Sequence, residues 1–343
     1  MRVAMYYNNR DVRLEEMAVP RIGPGELLVR IRASGICGTD VMEWYRIKKA
    51  PLVLGHEIAG EIVEVGEGIK NFQVGDRVFV SHHVPCGECR YCRNDHHSVC
   101  DTLRTTYLDP GGFAEYIRVP KINVDFGTLR LPDELTFEEG SFIEPLACVL
   151  RAQRFARLTA GQAVLVIGSG ISGLLHIHLA RARGAGRVLA TDINEFRLQA
   201  ALEAGADVTI HGEEDVPARL RELNEGRLAD LVIVCTGAMT AVQQAIQSVD
   251  RGGTLVFFAP TAADIEVPFP LYEFWRNEIT VMTSYAGSPA DLEESIELLR
   301  TRQVRVQGMI THRLSLAEAG LGFRLVASAQ ESIKVIIDPT VGL

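Results

Sequence analysis

No stretch of the chain approaches the roughly 18 consecutive apolar residues needed to span a bilayer, so no membrane segment is expected. The N-terminal M-R-V-A-M-Y-Y-N-N-R-D lacks the apolar core of a secretory signal. Positive charge is in deficit: 35 Lys and Arg against 44 Asp and Glu give −9, which offers nucleic acid or an anionic membrane no electrostatic help. Internal repeats, low-complexity runs and long linkers are also missing. What remains is ordinary for a soluble globular protein: 23% charged and 47% hydrophobic residues exclude wholesale disorder. A length of 343 residues allows two domains, each with its own core.

Cysteine is sparse except in one place. Four of the seven cysteines fall in C-G-E-C-R-Y-C-R-N-D-H-H-S-V-C, at Cys86, Cys89, Cys92 and Cys100. Four thiolates so close can converge on one tetrahedral ion, and zinc suits them; a chance cysteine-rich loop or two disulfides are the alternatives. With all four positions taken by protein, such a site is structural rather than catalytic. The odd total, with Cys37, Cys148 and Cys235 scattered, favours a reducing cytoplasm.

Residues 1 to 120 read as β-rich. L-L-V-R-I-R-A from Leu27 alternates as a half-buried strand should, Ile58 to Val65 does likewise, and strands are also expected over 74–80 and 112–119. A helix is expected over 141–156, with Pro145 limiting where it begins. Beyond it, strands expected at 163–167, 187–191, 207–210, 230–235, 254–258 and 279–284 alternate with helical patterns, the signature of a doubly wound parallel sheet. Helices over 289–301 and 316–328 follow. The final S-I-K-V-I-I-D has no place in the six-strand count and is expected to return to the first domain.

Gly168-Ser169-Gly170-Ile171-Ser172-Gly173 is a G-x-G-x-x-G turn between an apolar strand and a helix, with Asp192 closing the next strand. In that context the turn reads as a dinucleotide site, phosphates meeting the helix N-terminus. Asp192 is set to accept from the ribose hydroxyls and would repel a 2′-phosphate, so NAD is expected over NADP. Arg197 reads equally as an adenine contact or a solvated helix residue. His176 and His178, two apart on one helix, face different directions and read as packed or solvated. Cys37-Gly38-Thr39-Asp40, Gly55-His56-Glu57 and Glu144-Pro145 are small polar islands whose Cys, His and carboxylates suit a second zinc with an open position. Spacing alone does not single them out.

With these motifs assembled, the chain resembles the zinc-dependent medium-chain dehydrogenases, nearest their polyol (sorbitol-like) and threonine dehydrogenase branch. The likeness is carried by C-G-T-D, G-H-E-I-A-G-E-I, V-G-D-R-V, the four-cysteine lobe, E-P-L, the glycine turn and I-K-V-I-I. It implies an α/β chain: a GroES-like β-rich catalytic domain of residues 1–146 and 285–343, and an NAD-binding Rossmann domain, a doubly wound parallel sheet, of residues 147–284. It implies two zinc ions. Cys37 and His56 would hold a catalytic zinc, Glu57 and Glu144 would alternately ligate it or hold its water, and the four clustered cysteines would hold a structural zinc. Thr39 would be the first proton acceptor, and Thr236 would join the cofactor contacts. Hydride would pass from a secondary alcohol of a polyol, sugar derivative or amino alcohol to NAD, giving a ketone. Threonine 3-dehydrogenase or simple alcohol dehydrogenase activity is the alternative, and a silent binding protein on the same fold is the other class. A cytoplasmic homodimer or homotetramer is implied, with no nucleic-acid or membrane partner.

Two departures stand out. Where many relatives have a relay histidine, Met42 stands, leaving water, Glu43 or Glu57 to move the proton onward. Trp44 and Tyr45 read equally as pocket lining or local core. Tyr285 falls at a substrate-contacting position, but Ser284 replaces its usual arginine partner.

Overall fold

The alternation that begins at Leu27 builds the strand Leu27–Gly35, which pairs antiparallel with Glu57–Val65, Tyr116–Val119 and Lys334–Ile337. A computed structural model describes residues 1–342 and divides the chain into two units. The first holds Met1–Ala147, Gly287–Arg302 and the residues from Val306 onward; the second holds Cys148–Ala286 with Gln303–Arg305.

In the first unit a seven-stranded sheet runs Ile310–Leu314, Lys334–Ile337, Leu27–Gly35, Glu57–Val65, Arg77–Ser81, Thr128–Arg130, with Tyr116–Val119 also on Leu27–Gly35. Leu27, Val29 and Ile31 from one strand meet Ile58, Ile62, Val78 and Val80 in a water-free core. A smaller sheet joins Arg2–Asn8 to Asp11–Glu16 and Leu52–Val53. The terminal strand does return to this unit: Ile336 lies opposite Gly35 and Ile337 opposite Ser34.

Two expected strands are shorter than their apolar patterns. Val74 to Asp76 turn instead of extending, because Asp76 Oδ2 accepts from Gln73 N (2.9 Å) and its own N–H bonds Gln73 O (3.1 Å). Of 112–119 only Tyr116–Val119 is strand. The helix Ile143–Phe155 starts before Pro145, which sits in its first turn, where a missing N–H costs nothing. The segment 316–328 begins as a single 3-10 turn, Leu316–Glu318, before the helix Ala319–Ser328.

The second unit is a six-stranded, all-parallel sheet in the order Val208–His211, Arg187–Asp192, Ala163–Ile167, Ala229–Val234, Val249–Phe257, Thr280–Thr283. All five residues of Ala163–Ile167 are buried, as a strand covered on both faces requires. The strand order reverses beside Ala163–Ile167, and in such sheets ligands bind beyond the carboxyl ends at that reversal. His176 is sealed in this unit, its Nδ1 3.1 Å from Gln153 Nε2, and burial pulls its pKa down to about 3. His178 is only half-buried, so the two rings do face different surroundings.

Candidate metal and nucleotide sites

Between Cys86 and Cys100 the chain folds through two 3-10 turns, Cys92–Asn94 and His97–Val99, with Cys92, Cys100 and Leu103 packed inside. Sulfur separations are 3.5 Å for Cys89–Cys92, 3.6 Å for Cys86–Cys100 and 4.0 Å for Cys86–Cys92. Four bonds of about 2.3 Å directed tetrahedrally separate sulfurs by about 3.8 Å, so the cage fits zinc. Disulfides would need about 2.05 Å, and all seven cysteines are free. The donors also need a cation. Burial raises the Cys100 thiol, but the N–H groups of Cys86 and Leu103 outweigh it and bring it to about 6, whereas burial and Cys89 push Cys92 up to about 12. Only a bound cation makes all four thiolates together favourable.

A second set forms where the strand Leu27–Gly35 ends and Glu57–Val65 begins. Ligand atoms of Cys37, His56 and Glu57 lie within 4.8 Å of one another. Cys37 caps a one-turn helix, Gly38–Val41: its Sγ accepts from Thr39 N (3.4 Å), and Asp40 Oδ2 accepts from Cys37 N (3.1 Å). Thiolate, imidazole and carboxylate in one small group form a three-ligand set with room for a fourth ligand, the pattern of a catalytic zinc. Asp40 is fully buried behind it, Oδ1 3.4 Å from His56 Nδ1 and 3.5 Å from Arg46, within charge contact but hydrogen-bonded to neither. The carboxylate lies on the Nδ1 side of the ring, the side from which a carboxylate orients a metal-binding histidine. Burial pushes the Asp40 carboxyl up, yet His56, Arg46 and the Cys37 N–H together hold it below its ordinary value. Burial likewise lowers His56, and the charges of Asp40 and Cys37 overcome it and raise the ring well above its ordinary value.

Glu57 has a second partner. Its Oε2 accepts from Lys334 Nζ, with both side chains essentially inaccessible to water. Gly35 lies between them in the sheet, and a Cβ there would run into the Glu57 carboxylate and the Lys334 amine. The missing side chain leaves the room that the pair occupies, and a larger residue there would push the pair aside.

The other expected residues of this site fall as follows. Thr39 Oγ1 donates to Cys37 Sγ (3.3 Å) and accepts from Arg46 Nη2 (3.2 Å). Glu144 lies in the first turn of Ile143–Phe155, and the three-ligand group does not include it. Met42 carries no cap bond, and Glu43 is turned to accept from Asn9 N (3.0 Å). Trp44 and Tyr45 touch at 5.9 Å and are 49% and 43% exposed, so they are not local core. Tyr285 lies in the second unit and is half-exposed.

In the second unit the glycine turn has the shape a dinucleotide needs. Gly168 is left-handed (φ +91°), and a Cβ on Gly173 would strike the Gly168 carbonyl. Gly170 caps Ile171–Ala182 without a side-chain bond, and no acidic residue lies in that first turn, so the N–H groups of Ile171 and Ser172 face no competing carboxylate there. Asp192 Oδ2 accepts from Ser169 N (2.8 Å) and Oδ1 from Asn194 N (3.1 Å), which fixes the carboxylate and leaves it lone pairs for hydroxyl groups. Arg197 passes within 3.7 Å of the Cβ position of Gly170. Thr236 follows Ala229–Val234, and its Oγ1 accepts from Ala238 N (3.3 Å).

Asp40, Arg46, His82, His83 and Lys334 carry no assigned role in the sequence reading. Asp40 had a signal, its position three residues after Cys37, the spacing of a reciprocal helix cap. Lys334 had none, since only the sheet register brings it to Glu57.

Two family descriptions match: alcohol dehydrogenase GroES-like domain over residues 23–128, and zinc-binding dehydrogenase over residues 172–301. Sorbitol dehydrogenase of Mus musculus is 34% identical over 338 residues, covering 95% of this chain and 92% of its own. Among solved structures, galactitol-1-phosphate dehydrogenase from Escherichia coli superposes with a TM-score of 0.87 at 30% identity, covering 99% of this chain and 100% of its own. A zinc-binding dehydrogenase from Sinorhizobium meliloti 1021 bound to NADP gives 0.88 at 28% identity, covering 98% and 99%.

Proposed function

We propose that this chain, which belongs to the zinc-dependent medium-chain dehydrogenases, oxidises a secondary alcohol of a polyol or sugar derivative to a ketone, with NAD as acceptor. The observation that carries the reading is the meeting of Cys37, His56 and Glu57 within 4.8 Å, backed by Asp40. Bound zinc supplies charge that favours loss of the alcohol proton, and the nicotinamide supplies the hydride acceptor.

The chain's own residues do the rest. Cys37 and His56 hold the metal, Glu57 is the third ligand, and Glu144 is the second carboxylate, serving the metal or its water. Asp40 orients His56, and Lys334 orients Glu57. Thr39 Oγ1, beside Cys37 Sγ, accepts the substrate hydroxyl proton as it releases its own to the onward carrier. Arg46 donates to that oxygen and, always protonated, cannot be the next acceptor. Glu57 is engaged with Lys334, which leaves as onward carrier solvent or Glu43, whose exposed carboxylate keeps lone pairs beyond its bond from Asn9 N.

Cys86, Cys89, Cys92 and Cys100 hold the structural zinc, making two ions per chain. Gly168, Ser169, Gly170, Ile171, Ser172, Gly173 and Thr236 receive the dinucleotide, with Arg197 against the adenine. NAD over NADP rests on the Asp192 carboxylate, and the NADP-bound relative marks the competing choice. Seven free cysteines fit a cytoplasmic enzyme, and family likeness supports a dimer or tetramer. The test is zinc-loaded protein, NAD and a panel of polyols, scored by NADH absorbance. NADH with at least one secondary alcohol is expected, and none with any alcohol would sink the reading.

A further inference from the structure

Beside the three-ligand group the side chains close into a ring of contacts. His56 touches His82 at 4.7 Å between ring centres, His82 touches His83 at 3.7 Å, and His83 meets Tyr107 at 5.8 Å. Lys49 Nζ then bridges two aromatic faces, 5.6 Å from the Tyr107 ring and 5.9 Å from the Tyr45 ring. Arg46 lies over Tyr45 at 4.8 Å and returns to Thr39, whose hydroxyl bonds Cys37. The circuit thus leaves the candidate metal group at His56 and comes back to it at Cys37.

The ring is cationic and open. Arg46 spends Nε on Thr39 O (3.0 Å) and Nη2 on Thr39 Oγ1 (3.2 Å), leaving Nη1 without a hydrogen-bond partner among the described residues. Lys49 is exposed and makes no ion pair among them. One carboxylate touches the ring, Asp40, buried behind His56 and Arg46; Glu43 is turned away to Asn9. Tyr45 and Tyr107 are 43% and 52% exposed, so the cations that lie over their rings are reached from solvent. His82 Nδ1 is buried and has no hydrogen-bond partner among the described residues.

One held cation, Arg46, one exposed cation, Lys49, and aromatic walls beside a site for a hydroxyl group suit a particular molecule. A neutral polyol would leave Lys49 unmatched and Arg46 matched only by Asp40 on its buried side, whereas a hydroxylated chain ending in an anion would match Lys49 and the free edge of Arg46. We propose that the substrate is an alcohol bearing a terminal anionic group, a phosphate monoester or a carboxylate, received by Lys49 and the free edge of Arg46. The inference rests on the dehydrogenase reading above and sharpens its substrate class.

The experiment compares sorbitol with sorbitol 6-phosphate and with gluconate, in zinc-loaded wild type, Lys49→Glu and Lys49→Arg. Expected is a kcat/KM at least about 10-fold higher for one charged substrate than for sorbitol. Lys49→Glu should erase that preference, mainly through KM, and Lys49→Arg should keep it. The better charged substrate identifies phosphate or carboxylate. Equal rates for charged and neutral alcohols, or a preference indifferent to Lys49→Glu, overturns the inference while leaving the dehydrogenase reading intact. If no alcohol turns over, that reading fails, and calorimetry decides the anion site separately. Titration of inorganic phosphate, sorbitol 6-phosphate and gluconate should give binding to wild type that weakens at least about 10-fold in Lys49→Glu; absent or equal binding overturns it.

Discussion

Lys334 Nζ and Glu57 Oε2 form an ion pair closed off from water, although 277 residues separate them in sequence. The pair joins the last strand to the mouth of the candidate metal site and surrounds Gly35, whose missing side chain makes room for it. A buried pair adds little over an apolar one, but removing one partner strands a charge. Lys334→Met is therefore expected to destabilise the metal-free protein, where no zinc matches Glu57, by about 3–5 kcal/mol in denaturant titration. The double variant Lys334→Met/Glu57→Gln, with no stranded charge, should recover at least half. A single variant that melts like wild type would refute the shielded pair.

The two thiolate sites should respond oppositely to the loss of one sulfur. Cys37→Ala removes a ligand from an open three-residue set and leaves the sheets untouched. The melting temperature should stay near wild type, while metal analysis loses one zinc per chain and NADH formation disappears. Cys92→Ala opens a closed four-sulfur cage around which the loop folds, so the melting temperature should fall clearly before any change in the chemical step. Normal turnover in Cys37→Ala, or an unshifted melt in Cys92→Ala, would contradict the respective role.

Much of this was legible in the sequence because it is local. The cysteine spacing, the glycine turn with Asp192, and the six apolar strands each lie within a short window, where chain geometry links pattern to structure. The final strand was legible by exclusion, having no place in the parallel sheet. The ion pair of Lys334 was not, since it depends on register between strands far apart. Arg46, His82, His83 and Tyr107 were equally silent: their ring forms only when the 43–49 segment, the end of strand Arg77–Ser81 and the residues after Asp101–Thr105 converge. Trp44 and Tyr45 could not be sorted by composition, because an aromatic pair looks the same in sequence whether it fills a core or faces water.

Asp192 offers a test of cofactor choice. Its carboxylate is fixed by the N–H groups of Ser169 and Asn194, so it cannot swing away from a ligand at the end of its strand. A 2′-phosphate there would face a fixed like charge, whereas ribose hydroxyls would find an acceptor. Wild type should use NAD with a kcat/KM at least about 10-fold above NADP, since one lost charge-assisted bond plus repulsion exceeds about 1.4 kcal/mol. Asp192→Gly should narrow or reverse the ratio, chiefly by worsening NAD. A wild type that prefers NADP would remove the role given to this carboxylate.

His176 makes a prediction about acid stability that involves no metal. It lies in the second unit against Phe258, accepts from Gln153 at Nδ1, and has no partner for Nε2 among the described residues. Burial holds its pKa at about 3, against 6.5 for an exposed ring. The unfolded chain therefore binds this proton first as the pH falls, and the neutral ring's contribution, complete above about pH 6.5, is lost progressively toward about pH 3. Within that window the slope approaches about 1.4 kcal/mol per pH unit. Replacing the ring by a neutral group that cannot titrate, as in His176→Gln, lowers stability by a constant amount but removes the slope. Denaturant midpoints taken from pH 7 to pH 4 should converge for the two proteins as the pH falls. Parallel curves would mean that the wild-type ring takes up its proton inside the folded unit, contrary to its sealed position.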